Sequence, residues 1–196
     1  MRSCRPSPRP LRGHNGSALQ RTLAFSVSAG NLRAREKGHP PAVITVAMSC
    51  AIRAVPMRVW RALTDPNEVA AWDAVNGNGG ALDAPPDYPK PGQHVRWRYR
   101  QGGVPTLLHD RPIEVVQASH LRSLIELGQL RFDETYTLLP EGEGGTRLGM
   151  RIIAENVVPV VGGVLDRFEV RRLVTEMVSS SLEAIRTFCE RDGSDV

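Results

Sequence analysis

From Gln93 to Glu155 the chain is a succession of strand-length runs separated by turns too short to hold a helix. No other feature constrains the fold as much. Gln93–Gln101 alternates Val95, Trp97 and Tyr99 with His94, Arg96, Arg98 and Arg100, a period of two that puts successive side chains on opposite faces. Gly102-Gly103 leads into a run from Thr106 to Val116. Leu121–Leu127 holds Leu121, Ile125 and Leu127 in one phase, and Leu130–Leu139 holds Leu130, Phe132, Tyr136 and Leu138 in one phase. The turn cluster Pro140–Gly145 returns the chain into Thr146–Glu155, where Leu148, Met150 and Ile152 are read as inward. A parallel pair needs a crossover of about a dozen residues or more. These turns cannot supply one, so the runs predict an antiparallel meander.

Two further elements complete the reading. Upstream, Ile44, Val46, Met48, Cys50 and Ile52 alternate with smaller or polar residues and predict a half-buried strand. Pro56 then stands where a helix begins, Val59, Trp60 and Leu63 follow at helical spacing, and Thr64-Asp65-Pro66 stops that helix. Asp65 or Asn67 can cap a second short helix, Asn67–Trp72. Residues 76–92 are rich in glycine and proline and predict a loop. Downstream, Val164–Arg191 is helical in pattern, with Phe168, Val174, Met177, Val178, Leu182, Ile185, Phe188 and Cys189 on one face. At about 1.5 Å per residue such a helix approaches 40 Å, and it must lie across the sheet to bury its stripe. The fold class is α+β.

The N-terminal 40 residues are of another kind. They mix prolines, glycines and serines with scattered arginines and have no apolar period, so the expected organisation is a disordered basic tail over 1–40, a domain over 41–192 and a disordered end over 193–196. Arg2, Arg5, Arg9, Arg12, Arg21, Arg33, Arg35 and Lys37 against Glu36 give the tail +7, which leaves −3 for the rest of a chain whose net charge is +4. The basic pI of 9.3 therefore belongs to the tail, and the domain has no general attraction for nucleic acid. An acid-poor, arginine-rich tail has the composition of an organellar targeting segment. It is equally what a start site assigned too far upstream would append. Cys4, Cys50 and Cys189 are odd in number and far apart, which argues against a disulfide framework and for a reducing, cytoplasmic setting. The longest apolar stretch, Val157–Leu165, is too short to span a membrane and is broken by Pro159, Gly162 and Gly163. No histidines or cysteines have metal-ligand spacing, and no glycine-rich phosphate loop is present, so no cofactor is expected.

Three local pieces carry a resemblance. The first is Ile52-Arg-Ala-Val-Pro-Met-Arg-Val-Trp-Arg-Ala-Leu-Thr-Asp-Pro66 followed by Trp72; the second is Gly145-Thr146-Arg147-Leu148; the third is the helix end Leu182-Glu-Ala-Ile-Arg-Thr-Phe-Cys-Glu190. In this order and spacing, over about residues 43–191, the chain resembles the START-like (SRPBCC) superfamily, most closely its polyketide cyclase/dehydrase-like branch. The resemblance implies the helix-grip fold, a curved antiparallel sheet wrapped around a long C-terminal helix with two short helices after the first strand. It also implies an internal cavity for a small hydrophobic ligand, lipid or polyketide-like, in a monomer or weak homodimer.

Within such a cavity the strand phases nominate residues. Trp97, Tyr99, Phe132, Tyr136 and Met150 are in inward phases, Phe168 is on the helix face, and Trp72 is placed to close one mouth. Trp97 and Tyr99 read equally as core, and the alternative for Trp72 is a helix anchor. Glu134 lies in phase with Phe132 and Tyr136, so a carboxyl points inward, where desolvation raises its pKa. Such a group suits proton abstraction beside a carbonyl, with Tyr136 or His109 as the acid. His109 and Arg111 share a phase with Ile113 and Val115 and are read as its partners or as ligand-binding groups. The structural alternative is a Glu134–Arg111 ion pair, or a bulge that turns one of them outward. Three functions follow: a ligand-binding domain, a cyclase or dehydratase with Glu134 and His109 as catalytic groups, and a protein-interaction module of the Hsp90-activator-like kind.

Overall fold

A computed structural model describes residues 43–101, 104–128, 130–155, 158–160 and 163–191. The expected tails, 1–40 and 193–196, lie outside the described residues. In chain order the elements are β1 (Val43–Ile52), α1 (Pro56–Thr64), α2 (Pro66–Trp72), a 3-10 turn (Asp73–Asn76), β2 (Asn78–Ala81), β3 (Val95–Gln101), β4 (Val104–Val116), β5 (His120–Leu127), β6 (Leu130–Glu141), β7 (Gly145–Glu155), β8 (Val158–Val160), β9 (Gly163–Leu165) and α3 (Arg167–Arg191). This is the helix-grip arrangement. Strands β1 to β7 form one antiparallel sheet in the order β1-β7-β6-β5-β4-β3-β2, and β8 and β9 form a separate hairpin.

The short helices follow from local chemistry. Pro56 sits at the first turn of α1, where its missing N–H removes no helical bond. Asp65 caps α2: its Oδ1 accepts from the Asn67 N–H at 2.8 Å and the Glu68 N–H at 3.4 Å. Proline again occupies the first turn, as Pro66. The Trp72 indole N–H donates to the Ala62 carbonyl at 2.8 Å and ties the end of α2 to α1.

Helix α3 buries Val170, Val174, Val178, Leu182, Ile185 and Cys189, a stripe spaced by threes and fours. That stripe rests mainly on β1 and β7, and the inner face of β3 to β6 closes over a hollow. No helix among the described residues is long and apolar enough to cross a membrane.

Four sequence expectations change here. Residues 78–81, read as loop, form the edge strand β2 beside β3. Residues 164 and 165, read as the start of the long helix, belong to β9, so α3 begins at Arg167. Phe168 is 80% exposed. It precedes Val170 by two residues, about 200° around a helix, and so points away from the buried stripe. Finally, His109 and Arg111 face outward. The pairing of β4 with β5 shifts register between Pro112 and Glu114, which reverses the phase. Asp110 and Pro112 are buried on one side of the shift and Val115 packs on the core on the other, while Arg111 and Glu114 are exposed.

Candidate functional site

The hollow is a cavity of about 570 Å³. Its walls come from α2 and the 3-10 turn, from the inner faces of β3 to β7, and from α3 through Leu173, Met177, Ser180 and Ser181. Trp72, Trp97, Phe132, Met150 and Ile152 supply apolar surface and are buried. The turn that forms one wall is held in place from two sides. The Ser180 hydroxyl of α3 donates to Asn76 Oδ1 at 2.7 Å. Gly77 ends the turn with φ +93, where a Cβ would collide with the Arg100 carbonyl, so only glycine lets the chain pass.

All the chain's tyrosines line this cavity, and each is paired with a different carboxylate. Tyr88 donates to Asp110 Oδ2 at 2.6 Å. Tyr99 donates to Asp73 Oδ2 in a short hydrogen bond. Tyr136 is hydrogen-bonded to Glu134, its neighbour in the inward phase of β6. Desolvation pushes each phenol well above its ordinary range, and the adjacent carboxylate pushes it further. The phenols are therefore neutral donors at every physiological pH.

The carboxyls differ in how far they are satisfied. Asp73 is buried and enclosed by donors: Asn76 Nδ2 reaches Oδ1 at 2.8 Å, and Asn78 Nδ2 reaches Oδ2 at 3.1 Å beside Tyr99. Burial raises its pKa and these bonds oppose the rise. Asp110 is 6% exposed. Burial raises its pKa too, against the Tyr88 bond and weaker contacts from Ser123 and Trp97. Its Oδ1 completes no hydrogen bond. Glu134 lies deep in the protein, and the surface it keeps accessible is cavity wall. Desolvation drives its pKa up to about 7, the Tyr136 bond pulls it down, and Asp110 and Asp73 push it up as like charges.

The sequence-nominated residues divide accordingly. Trp72, Trp97, Tyr99, Phe132, Glu134, Tyr136 and Met150 are on the cavity wall. His109 is on the outer face, stacked on His94 with ring centroids 5.1 Å apart and its Nδ1 2.9 Å from His94 Nε2. Arg111 pairs with Glu126 at 3.2 Å on that same face, so the Glu134–Arg111 ion pair does not form. Phe168 stands apart from the cavity, in solvent. Reading the sequence missed Asp73, Tyr88 and Asp110. Pro112, a proline inside a strand run, was the available signal for the bulge that turns Asp110 inward. Tyr88 is delivered by an irregular loop and meets Trp97 edge-on at 6.2 Å between centroids, which no periodicity could show. Among the described residues no group of three or more His, Cys, Asp or Glu side chains is arranged to hold a metal ion.

Comparison with known proteins places this architecture. No curated protein sequence matches the chain. Among solved structures, a START superfamily protein from Mycobacterium smegmatis aligns with TM-score 0.62 at 13% identity, covering 75% of this chain and 97% of that one. The Zhui aromatase/cyclase from a Streptomyces species aligns with TM-score 0.59 at 16% identity, covering 79% and 98%. Protein MLL2253 from Mesorhizobium loti aligns with TM-score 0.57 at 22% identity, covering 78% and 100%. These likenesses establish the fold. Residues 43–190, the whole of the sheet and nearly all of α3, match the family described as polyketide cyclase / dehydrase and lipid transport, and the chain belongs to that family.

Proposed function

We propose that this protein binds a small hydrophobic or aromatic ligand inside the sheet. The observation that carries this reading is the cavity: about 570 Å³, within the roughly 300–1,000 Å³ of small-molecule sites, with an apolar and aromatic wall and a few convergent polar groups. Burial against that wall supplies affinity at about 25 cal/mol per Å² before ordering costs. The tyrosine–carboxyl pairs orient the ligand. The test combines native mass spectrometry of the freshly purified protein with titration by N-phenyl-1-naphthylamine, a neutral dye that brightens in apolar sites. A co-purified mass, or saturable one-site dye binding, is the expected result. Neither would mean that the hollow is not a ligand site.

A second reading is favoured by one observation, the pKa of about 7 at Glu134 beside the Tyr136 hydroxyl. A carboxyl poised near neutrality, hydrogen-bonded to a neutral phenol, is equipped to take a proton next to a substrate carbonyl while the phenol donates to the developing oxyanion. In this reading the protein is a cyclase or dehydratase. Glu134→Gln then removes turnover, by at least about a hundredfold, and leaves dye binding intact; the parent's rate rises with pH through about 7. Equal loss of dye binding, or undiminished turnover, would reject the assignment.

A further inference from the structure

Resting on the reading that the cavity binds a small hydrophobic ligand, we propose that the ligand is a phenol: a flat aromatic body whose hydroxyl donates a hydrogen bond to the carboxylate of Glu134.

The direction of the hydrogen bonds on the sheet side of the cavity carries this inference. Tyr88 and Tyr99 donate their hydroxyl hydrogens to Asp110 and Asp73. Trp97 and Ser123 also donate to Asp110, and Tyr136 donates to Glu134. These hydrogens are all committed within the protein, so this wall has few to offer a guest. Arg100 is the remaining sheet residue with side-chain donors at the cavity; it is exposed and engaged in interactions of its own. Ser181 on α3 can donate or accept, and so does not discriminate.

Glu134 is the acceptor on this wall that is incompletely filled. Its neighbours across the sheet are Ser123 on β5 and Ile152 on β7. The Ser123 hydroxyl is directed to Asp110, and the Ile152 side chain has no polar atom. Tyr88 and Tyr99 are near enough to feel the charge of Glu134, yet their hydrogens go elsewhere. That leaves Tyr136, two residues on and on the same face of β6, as the side chain that hydrogen-bonds to it among the described residues. A carboxylate has about four acceptor sites, and one phenol occupies one of them. The part of Glu134 that stays accessible is cavity wall, so a second donor arrives with the ligand.

A hydroxyl suits this position in both states of the acid. It donates to the carboxylate and accepts from the protonated form, and with a pKa of about 7 Glu134 visits both. An ether or ketone matches the protonated form alone, and at higher pH it sets acceptor against acceptor. A phenol is more acidic than an alkyl alcohol and makes the stronger bond to a carboxylate. Its ring packs on Trp97 and on Phe132, the preceding inward residue of β6.

The experiment uses three probes on one naphthalene body: 2-naphthol, which can donate, 2-methoxynaphthalene, which can only accept, and 2-methylnaphthalene, which does neither. Each is titrated into the full chain at pH 8 and read by calorimetry. Naphthol is expected to bind at least about tenfold tighter than the other two, the size of one hydrogen bond to a charged group. Methoxynaphthalene should gain nothing over methylnaphthalene. In Glu134→Gln the charge is gone and the amide oxygen serves Tyr136, so naphthol loses its advantage while methylnaphthalene binds as before. Methoxynaphthalene binding as tightly as naphthol overturns the donor assignment and leaves the cavity reading standing. So does failure of all three probes while N-phenyl-1-naphthylamine still binds. A naphthol advantage that survives in Glu134→Gln, or an equal loss for all three probes, overturns the role of Glu134. If neither the probes nor the dye bind, the cavity reading falls as well. Should Glu134→Gln fail to fold, the order of the three probes on the unaltered protein still decides whether the ligand must donate.

Discussion

Glu134→Gln is expected to make the protein more stable at pH 8 and to leave its stability unchanged at pH 4. The reason is the proton that the fold obliges Glu134 to keep. In the unfolded chain the carboxyl has an ordinary value of 4.5, and in the fold desolvation takes it to about 7. Between those values the folded protein holds a proton that the unfolded chain has released. Stability then falls as pH rises through the window, and the full cost is present only above about 7. At roughly 1.4 kcal/mol per unit, the shift corresponds to about 3 kcal/mol; water within the cavity reduces that figure. Glutamine keeps the volume and offers Oε1 to the Tyr136 hydroxyl, so the substitution removes the titration and little else. Urea unfolding of both proteins at pH 4, 6 and 8 checks this. A difference that is constant across pH, or a variant less stable than its parent at pH 8, would show that Glu134 is ionised and compensated in the fold. A carboxyl that weakens the fold at the pH where it is charged is the kind of group retained for ligand binding or catalysis.

How much of this was legible beforehand depended on periodicity. The meander and long helix were readable because alternate residues on β3, β5, β6 and β7 keep their phase from end to end. The same regularity put Trp97, Tyr99, Phe132, Glu134, Tyr136 and Met150 on one wall. Strand β4 does not keep one phase. Ile113 and Val115 set the phase that the sequence suggests, and the register shift between Pro112 and Glu114 inverts what precedes it. His109 and Arg111 were thereby exchanged for Asp110. Phe168 failed for a different reason: its apolar character suggested the helix stripe, but two residues before Val170 is the wrong side of the cylinder. Tyr88 and Asp73 lie in a loop and a 3-10 turn, where side-chain direction follows tertiary contacts such as Ser180 with Asn76. Local sequence does not encode those contacts. The result was an expected cavity with one acid, where the fold builds several tyrosine–carboxyl pairs.

Asp73→Ala is expected to cost about 3 kcal/mol and to loosen the cavity wall, whereas Asp73→Asn should cost under about 1 kcal/mol. Asp73 is the acceptor for donors from three elements: Asn76 on its own turn, Asn78 at the start of β2, and Tyr99 on β3. Alanine strands the Tyr99 hydroxyl inside the protein and leaves the Asn78 amide only its bond to the Tyr99 oxygen at 3.2 Å, and a buried donor left without a partner costs about 1–3 kcal/mol. The Asn76 amide is nearer the surface and recovers water. Asparagine keeps a carbonyl for Tyr99 and Asn78 and removes the burial of an ionisable group whose pKa the fold has raised, so the two changes nearly offset. The substitutions thus separate geometry from charge at the same position. Thermal unfolding at pH 7 measures the first effect, and hydrogen exchange across residues 73–81 measures the second. Exchange there should accelerate in Asp73→Ala and not in Asp73→Asn. Equal destabilisation by both would mean that the negative charge, rather than the acceptor geometry, holds the turn against β3.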